Sequence, residues 1–261
     1  MTRKTTKERA DLVMVQNNLA ESRKHAQSLI MAGVVYHGMK QVLKPGHQVE
    51  IDASLEVREG LPYVSRGGLK LAHALECFNI DLKDMTTLDI GSSTGGFTDC
   101  MLQRGASRVY AVDVGHGQLH YRLRQNPRVI SMEGINARYE YQIPEKVHFA
   151  TVDVSFISAT KIVPLVNLHL QIGGYILFLV KPQFEARRDE INRGGIVKKP
   201  TVHARVLGNI VVWAVNSGYR IRGLIPSPIL GSAGNKEFLL LLQLESVANG
   251  NKVISENTTE N

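Results

Sequence analysis

From Tyr63 onward the sequence alternates short apolar runs with helical stretches, a rhythm open to few architectures. Thr87–Ile90, Arg108–Val114, Arg128–Met132, Val147–Val154 and Tyr175–Val180 read as strands. Gly68–Phe78, Gly96–Arg104, Ala159–Leu170 and Val202–Ser217 read as helices. Such alternation implies an α/β domain with a mostly parallel sheet covered on both faces. The ending breaks the rhythm. Tyr219–Pro226 and Glu237–Leu244 are two strands with no helix between them, so an antiparallel terminal hairpin is expected at one edge. Ligands of such sheets bind beyond the carboxyl ends of the strands.

Composition removes other classes. No window reaches the roughly 18 uninterrupted apolar residues of a membrane span. The N-terminus, Met1-Thr2-Arg3-Lys4, is basic and polar with no apolar stretch after it, which argues against a secretory signal. Two cysteines, Cys77 and Cys100, are read as too few for a disulfide framework or a four-ligand zinc site, and they fit a reducing cytosol. A cytoplasmic protein is expected. Lys and Arg number 31 against 24 Asp and Glu, a net charge of +7, which raises nucleic acid as a partner without establishing it. His116, His120 and His148 lack metal-ligand spacing, so no metal is expected.

The first strand of the α/β region runs into Asp89-Ile90-Gly91-Ser92-Ser93-Thr94-Gly95-Gly96-Phe97 and opens a helix. Glycines allow a sharp turn and close approach to a ligand. A P-loop needs Gly-Lys-Ser/Thr at its end, and no lysine is here. A dinucleotide loop reads G-x-G-x-x-G, whereas this one reads G-x-x-x-G-G, and Asp89 would repel a pyrophosphate. A ligand carrying an ammonium and a sulfonium suits Asp89 better. The loop resembles motif I of S-adenosylmethionine-dependent enzymes, and the whole α/β pattern resembles the class I methyltransferase fold. Asp113 ends the next strand, about 20 residues on, where a carboxylate accepts hydrogen bonds from ribose hydroxyls. Asn136, in the loop after the third strand, is a candidate adenine contact. The expected cofactor residues are Asp89, Gly91, Ser92, Ser93, Gly95, Gly96, Phe97, Asp113 and Asn136.

Residues 1–58 read as a separate small basic module. Ser22 is a candidate N-cap, Leu12, Val15, Leu19, Ala26, Leu29 and Ile30 recur at helical spacing, and Gly33 ends the helix. Val34-Val35-Tyr36 reads as a strand, and Val42, Val49 and Ile51 as a strand pair around the Lys44-Pro45-Gly46 turn. The pattern Arg9-Ala10-Asp11-Leu12, Ser22-Arg23, Gln27, Ile30, Gly33-Val34-Val35, Gly38 and Lys44-Pro45-Gly46 resembles the S4 RNA-binding module. That resemblance implies cations presented to RNA phosphates, here Arg9, Arg23, Lys24, Lys40 and Lys44. The bland alternative is a solvated basic face on a structural domain. Residues 59–62 read as a linker, 63–246 as the methyltransferase domain, and 247–261 as a polar disordered tail.

Four further residues fall at strand ends or in short polar motifs. They are Lys70 after Ser65-Arg66-Gly67-Gly68, Asp153 in Asp153-Val154-Ser155-Phe156, Lys181 in Lys181-Pro182-Gln183-Phe184-Glu185, and Glu237 in Gly234-Asn235-Lys236-Glu237-Phe238. Together they resemble the Lys-Asp-Lys-Glu tetrad of RNA ribose 2′-O-methyltransferases. With the front module they are similar to the TlyA (hemolysin A) family of FtsJ-like enzymes. The resemblance implies S-adenosylmethionine as cofactor, ribosomal RNA in ribosomal subunits as substrate, and a cytidine 2′-hydroxyl as methyl acceptor. In-line attack requires alignment and removal of the hydroxyl proton. Lys181 is expected at the 2′-oxygen, Asp153 orienting it, and Lys70 with Glu237 fixing the ribose. A structural ion-pair network at the sheet ends is the competing reading of the four.

Arg187, Arg188, Lys198 and Lys199 lie in a basic, glycine-containing segment after Lys181, read as an RNA-contacting loop, and Arg66 joins these cations. Two other functions compete with the enzyme. One is a non-catalytic RNA-binding or ribosome-assembly factor, which an incomplete tetrad would favour. The other is a cytolysin, which would require a membrane-inserting stretch or a strongly amphipathic basic helix, and the sequence offers neither.

Overall fold

A computed structural model describes residues 7–38, 40–57, 62–231 and 234–245. The expected tail and most of the expected linker lie outside them. The chain divides into two compact units, Met1–Leu69 and Lys70–Asn261. The division falls inside a helix, seven residues beyond the linker expected at 59–62.

The first unit holds β1 (Lys7–Arg9), α1 (Ala10–Gln16), α2 (Arg23–Ala32), β2 (Val35–His37), β3 (Lys40–Gln41), β4 (Gln48–Glu50) and β5 (Leu55–Val57). Ser22 caps α2, its hydroxyl accepting from the His25 amide at 3.1 Å. Gly33 ends α2 at φ 79°, and Gln41 donates to its carbonyl at 2.6 Å. The single apolar face expected from Leu12 to Ile30 is split in two. Asn18, at φ 57°, takes the chain out of α1, and the helical phase restarts after Ser22. Val13, Met14, Ala26 and Ile30 are therefore buried, while Leu12 and Val15 are half-buried. The strands flanking Lys44-Pro45-Gly46 do not pair with each other either. The turn hands the chain to β1, with Ala10 N–H donating to the His47 carbonyl, so β4 pairs β1 and β3 pairs β2.

The buried carboxylate of Asp11 organises this unit. Arg9 donates two hydrogen bonds to it at 2.9 Å, Arg23 one at 3.0 Å and Gln27 one at 2.8 Å. These donors, Arg9 foremost, hold the carboxyl well below the usual carboxylate range against the opposing effect of burial. Arg9 and Arg23, expected among the RNA-contacting cations, share the Asp11 carboxylate while their side chains stay 37% and 53% exposed. Lys24, Lys40 and Lys44 are exposed.

The second unit is built on β6 (Thr86–Ile90), β7 (Arg108–Asp113), β8 (Val129–Glu133), β9 (Val147–Val152), β10 (Leu170–Val180), β11 (Tyr219–Pro226) and β12 (Phe238–Leu244). They form one sheet in the order β11-β12-β10-β9-β6-β7-β8. The strands from β10 to β8 run parallel, and β12 is antiparallel to both its neighbours, as the terminal hairpin requires. Its helices are α3 (Gly67–Cys77, which begins in the first unit), α4 (Gly96–Gln103), α5 (Tyr121–Arg124), α6 (Val163–Val166), α7 (Pro182–Glu185) and α8 (Pro200–Asn216). Ile90, Val112, Val152, Ile176, Phe178 and Leu240 are buried together in the core of the sheet.

The helix expected over Ala159–Leu170 is not continuous. Ala159–Lys161 is a 3-10 turn capped by Ser158, α6 is four residues long, and Leu170 already belongs to β10. Pro164 near the start of α6 has no N–H to bond back to the preceding turn, so the apolar run cannot close into one helix.

Asp11→Ala is expected to reduce hydrogen-exchange protection in α1 and α2 by about 1–3 kcal/mol, leaving the α8 amides unchanged. Because the Asp11 pKa is lowered on folding, its contribution is present above the unfolded value near pH 4. It is lost as pH falls through the folded value. The difference between variant and wild type should therefore shrink in acid.

Candidate active site

Strand register brings the polar strand ends together. Val152 of β9 lies beside Phe178 of β10, and Val180 of β10 faces Phe238 of β12. Asp153 and Lys181 therefore leave neighbouring strands at one end of the sheet, where Glu237 enters. The four expected residues resolve into two ion pairs. Lys70 Nζ lies 2.6 Å from Glu237 Oε2, with side-chain exposures of 11% and 4%. Lys181 Nζ lies 2.6 Å from Asp153 Oδ1 and donates to Ser155 Oγ at 3.0 Å. The Lys181 contact is one of charge. Asp153 Oδ1 is buried and has no aligned hydrogen-bond donor. Buried pairs of this kind contribute little net stability, since desolvation offsets their attraction, so their cost is more readily explained by chemistry.

A cavity of about 520 Å³ opens beside Asp153. Its wall includes Gly91, Ser93, Asp113, Asn136, Asp153 and Phe156. Gly91, at φ 81°, is required by close approach, because a Cβ there would stand 2.3 Å from the Asp153 carbonyl oxygen. Asp113 accepts from Ser93 N–H at 2.8 Å and from Gly115 N–H at 2.7 Å, one on each oxygen. Each oxygen retains a second acceptor site. Asn136 accepts from the Arg138 amide at 3.1 Å, an Asx turn on the cavity wall.

Other expected cofactor residues stand behind this wall. Asp89 is completely buried, accepting from Thr98 Oγ1 at 2.6 Å and Thr151 Oγ1 at 2.9 Å. It bridges α4 and β9 and stands behind the cavity wall, not among the residues that line it. Burial pushes its pKa up to about 6, opposed by the two threonines and reinforced by Asp153. Phe97 is packed in the interior, Ser92 is buried, and Gly95 and Gly96 form the start of α4, with Gly95 at φ 94°.

Several site residues were not singled out from the sequence. Phe156, at φ 65°, is 92% exposed on the cavity rim and lies 5.2 Å from the Phe184 ring. Glu185 accepts from the Ala159 amide at 3.1 Å, and burial raises its pKa. Asn235 is buried, accepting from Val197 N–H and donating to the Gly195 carbonyl, both at 2.9 Å. It ties the segment after α7 to the approach of β12. That segment is ordered further by Glu190, which accepts from the Arg187 amide and pairs with Arg205. Arg187, Arg188, Lys198 and Lys199 are exposed on it. Arg66, in the first unit, donates to Gln41 at 3.3 Å. The only available signals were the short motifs around Asp153, Lys181 and Glu237.

Residues 63–244 match the FtsJ-like methyltransferase family. The chain belongs to this family. Its sheet and terminal hairpin are those of the class I fold, and its cofactor is S-adenosylmethionine. YqxC of Bacillus subtilis is 49% identical over 243 residues, covering 90% of this chain and 85% of the relative. TlyA of Mycobacterium tuberculosis, named a 16S/23S rRNA (cytidine-2'-O)-methyltransferase, is 38% identical over 242 residues, covering 91% of this chain and 90% of TlyA. A solved structure from Streptococcus thermophilus shares 44% identity at a TM-score of 0.71, covering 94% of this chain and 93% of that one. Among the described residues no helix is long and apolar enough to cross a membrane, and no group of His, Cys, Asp and Glu is arranged to hold a metal.

The raised Asp89 pKa carries a test. Its unfolded value near 4 lies below the folded value of about 6, so wild-type stability should fall as pH rises between the two. Asp89→Asn removes that titration. The stability of the variant relative to wild type should increase from pH 4 to 6 and then level off, read by chemical denaturation across pH.

Proposed function

We propose that this methyltransferase transfers a methyl group to the 2′-hydroxyl of a cytidine in ribosomal RNA, acting on ribosomal subunits in the cytoplasm. The observation that carries the reading is the Lys181–Asp153 pair at the cofactor-sized cavity. The substrate class follows the printed activity of TlyA, similar over nine-tenths of the chain.

The residues fit the cofactor. Gly91 and Ser93 bring backbone against the cavity, Asp113 retains acceptor capacity for two ribose hydroxyls, and Asn136 stands beside the position read for adenine. S-adenosylmethionine supplies an activated methyl on a positive sulfur. Held by these residues, it would supply that methyl to the ribose 2′-oxygen, with the thioether as the leaving group. Lys181, held by Asp153 and Ser155, contacts the 2′-oxygen and takes its proton. Lys70 and Glu237 hold the ribose. Phe156 offers a bare ring on which an extruded base can stack.

In the first unit, we read residues 1–58 as an S4-like module whose exposed Lys24, Lys40 and Lys44 meet RNA phosphate. Arg9 and Arg23 support that surface through Asp11, and Arg66 through Gln41. Exposed Arg187, Arg188, Lys198 and Lys199 form a second cationic surface, on the segment latched by Asn235.

Lys181→Ala should fold and bind S-adenosylmethionine normally while losing methyl transfer to ribosomal subunits by about 100-fold or more. Near wild-type transfer of labelled methyl would remove Lys181 from the mechanism. Replacing Arg187, Arg188, Lys198 and Lys199 together by Ala should weaken RNA affinity and flatten its dependence on salt, with cofactor affinity unchanged. A salt slope equal to that of wild type counts against this surface.

A further inference from the structure

Two segments leave the sheet side by side at its catalytic end. β9 and β10 are parallel neighbours, so residues 153–159 and 181–186 emerge in the same direction. Their contacts follow in step. Asp153 and Ser155 meet Lys181, the Phe156 ring meets the Phe184 ring, and the Ala159 amide meets Glu185. The first of these belongs to the proposed chemistry and the second to the proposed base platform. The third belongs to neither, and Glu185 is not among the residues lining the cavity beside Asp153.

Phe156 is the residue these contacts enclose. Its φ of 65° puts a bulky side chain in the left-handed region, which residues other than glycine rarely adopt. Its ring is 92% exposed, so burial does not compensate for that backbone. Such a conformation persists only where its surroundings fix it. Before it, Asp153 N–H donates to the Ile90 carbonyl at 2.9 Å, and Ser155 Oγ accepts from Lys181. After it, Ala159 N–H donates to Glu185 Oε1 at 3.1 Å. Ala159 opens the 3-10 turn 159–161, whose Thr160 amide is already served by the Ser158 hydroxyl. The Ala159 amide therefore needs an acceptor from another element, and Glu185 at the end of α7 supplies it. Ala159 is buried, which leaves water little access to that amide. Burial raises the Glu185 pKa, against the Ser158 hydroxyl and the Ala159 amide. An acid is thus kept where an aliphatic side chain would avoid the cost of desolvation.

We propose that Glu185 is a positioning residue for methyl transfer. By holding the Ala159 amide it fixes the turn that stands the Phe156 ring on the cavity rim, where the ring receives the base of the acceptor nucleotide. Glu185 touches neither the ribose nor the cofactor, and its effect passes through Phe156. The inference rests on the stacking role proposed for Phe156. It adds the reason why an exposed ring on a disfavoured backbone keeps one place. The segment is pinned at one end by the Lys181 pair and at the other by Glu185, so the ring and the Lys181 amine are set relative to each other.

Methyl transfer to ribosomal subunits is measured with the full chain, together with S-adenosylmethionine affinity and hydrogen exchange. Glu185→Ala should lower kcat/KM for the subunits about tenfold, with cofactor affinity unchanged. Exchange should rise over residues 156–161 while α8 stays protected. Glu185→Gln keeps an oxygen within reach of the Ala159 amide and should stay within about threefold of wild type. Glu185→Asp keeps the charge but falls one methylene short, so it should behave like Glu185→Ala, and it carries the comparison if the alanine variant does not fold. Phe156→Ala should lower kcat/KM by about tenfold or more. The double variant Phe156→Ala/Glu185→Asp should then lie within about twofold of Phe156→Ala alone. Losses that multiply in the double variant, a Glu185→Asp enzyme at the wild-type rate, or unchanged exchange over 156–161 overturns this inference and leaves the stacking role standing. A wild-type rate in Phe156→Ala removes the stacking role and this inference with it. Absence of transfer by the wild-type chain sinks the proposed function on which both rest.

Discussion

The approach of Gly91 to the Asp153 carbonyl is the contact on which the site depends. A side chain at position 91 would have to occupy space 2.3 Å from that oxygen. With only hydrogen there, the glycine loop after β6 packs directly on the end of β9, so Asp153 serves both the 520 Å³ cavity and the Lys181 pair. Beneath it, Asp89 bridges Thr98 of α4 and Thr151 of β9, fixing the helix that follows the loop to the strand that carries Asp153. The loop is therefore held from above by backbone contact and from below by a buried carboxyl. Preorganisation of this kind matters for methyl transfer, where the protein's main contribution is alignment.

Charge is distributed by the same economy. Lys70 with Glu237, and Lys181 with Asp153, cancel in pairs, so none of the four adds to the +7 of the chain. Arg9 and Arg23 share Asp11, Arg205 is paired with Glu190, and Arg104, Arg108 and Arg220 have carboxylate partners on the surface. Exposed surface pairs are worth little in stability, but they lower the number of cations free to meet phosphate. Among the described residues, Lys24, Lys40 and Lys44 in one unit and Arg187, Arg188, Lys198 and Lys199 in the other are exposed and are not among those pairs.

The sheet was legible because its signals are local. Four largely buried parallel strands and the edge strand β8 announce themselves as short apolar runs, and the lack of a helix before Glu237 announces the hairpin. Polar residues at strand ends were legible for the same reason, since a Lys or Asp directly after an apolar run must stand at the sheet's edge. Partnership was not legible. Asp89 reads like a ligand-facing acid, yet its neighbours Thr98 and Thr151 come from different elements and absorb both its oxygens. Arg9 and Arg23 read as cations for RNA phosphate, and only the packing of α1 and α2 shows that both also share the Asp11 carboxylate. The helix over 159–170 failed for a different reason. Its apolar periodicity is real, but Pro164 divides it, and Leu170 is drawn into β10 by pairing with Val147.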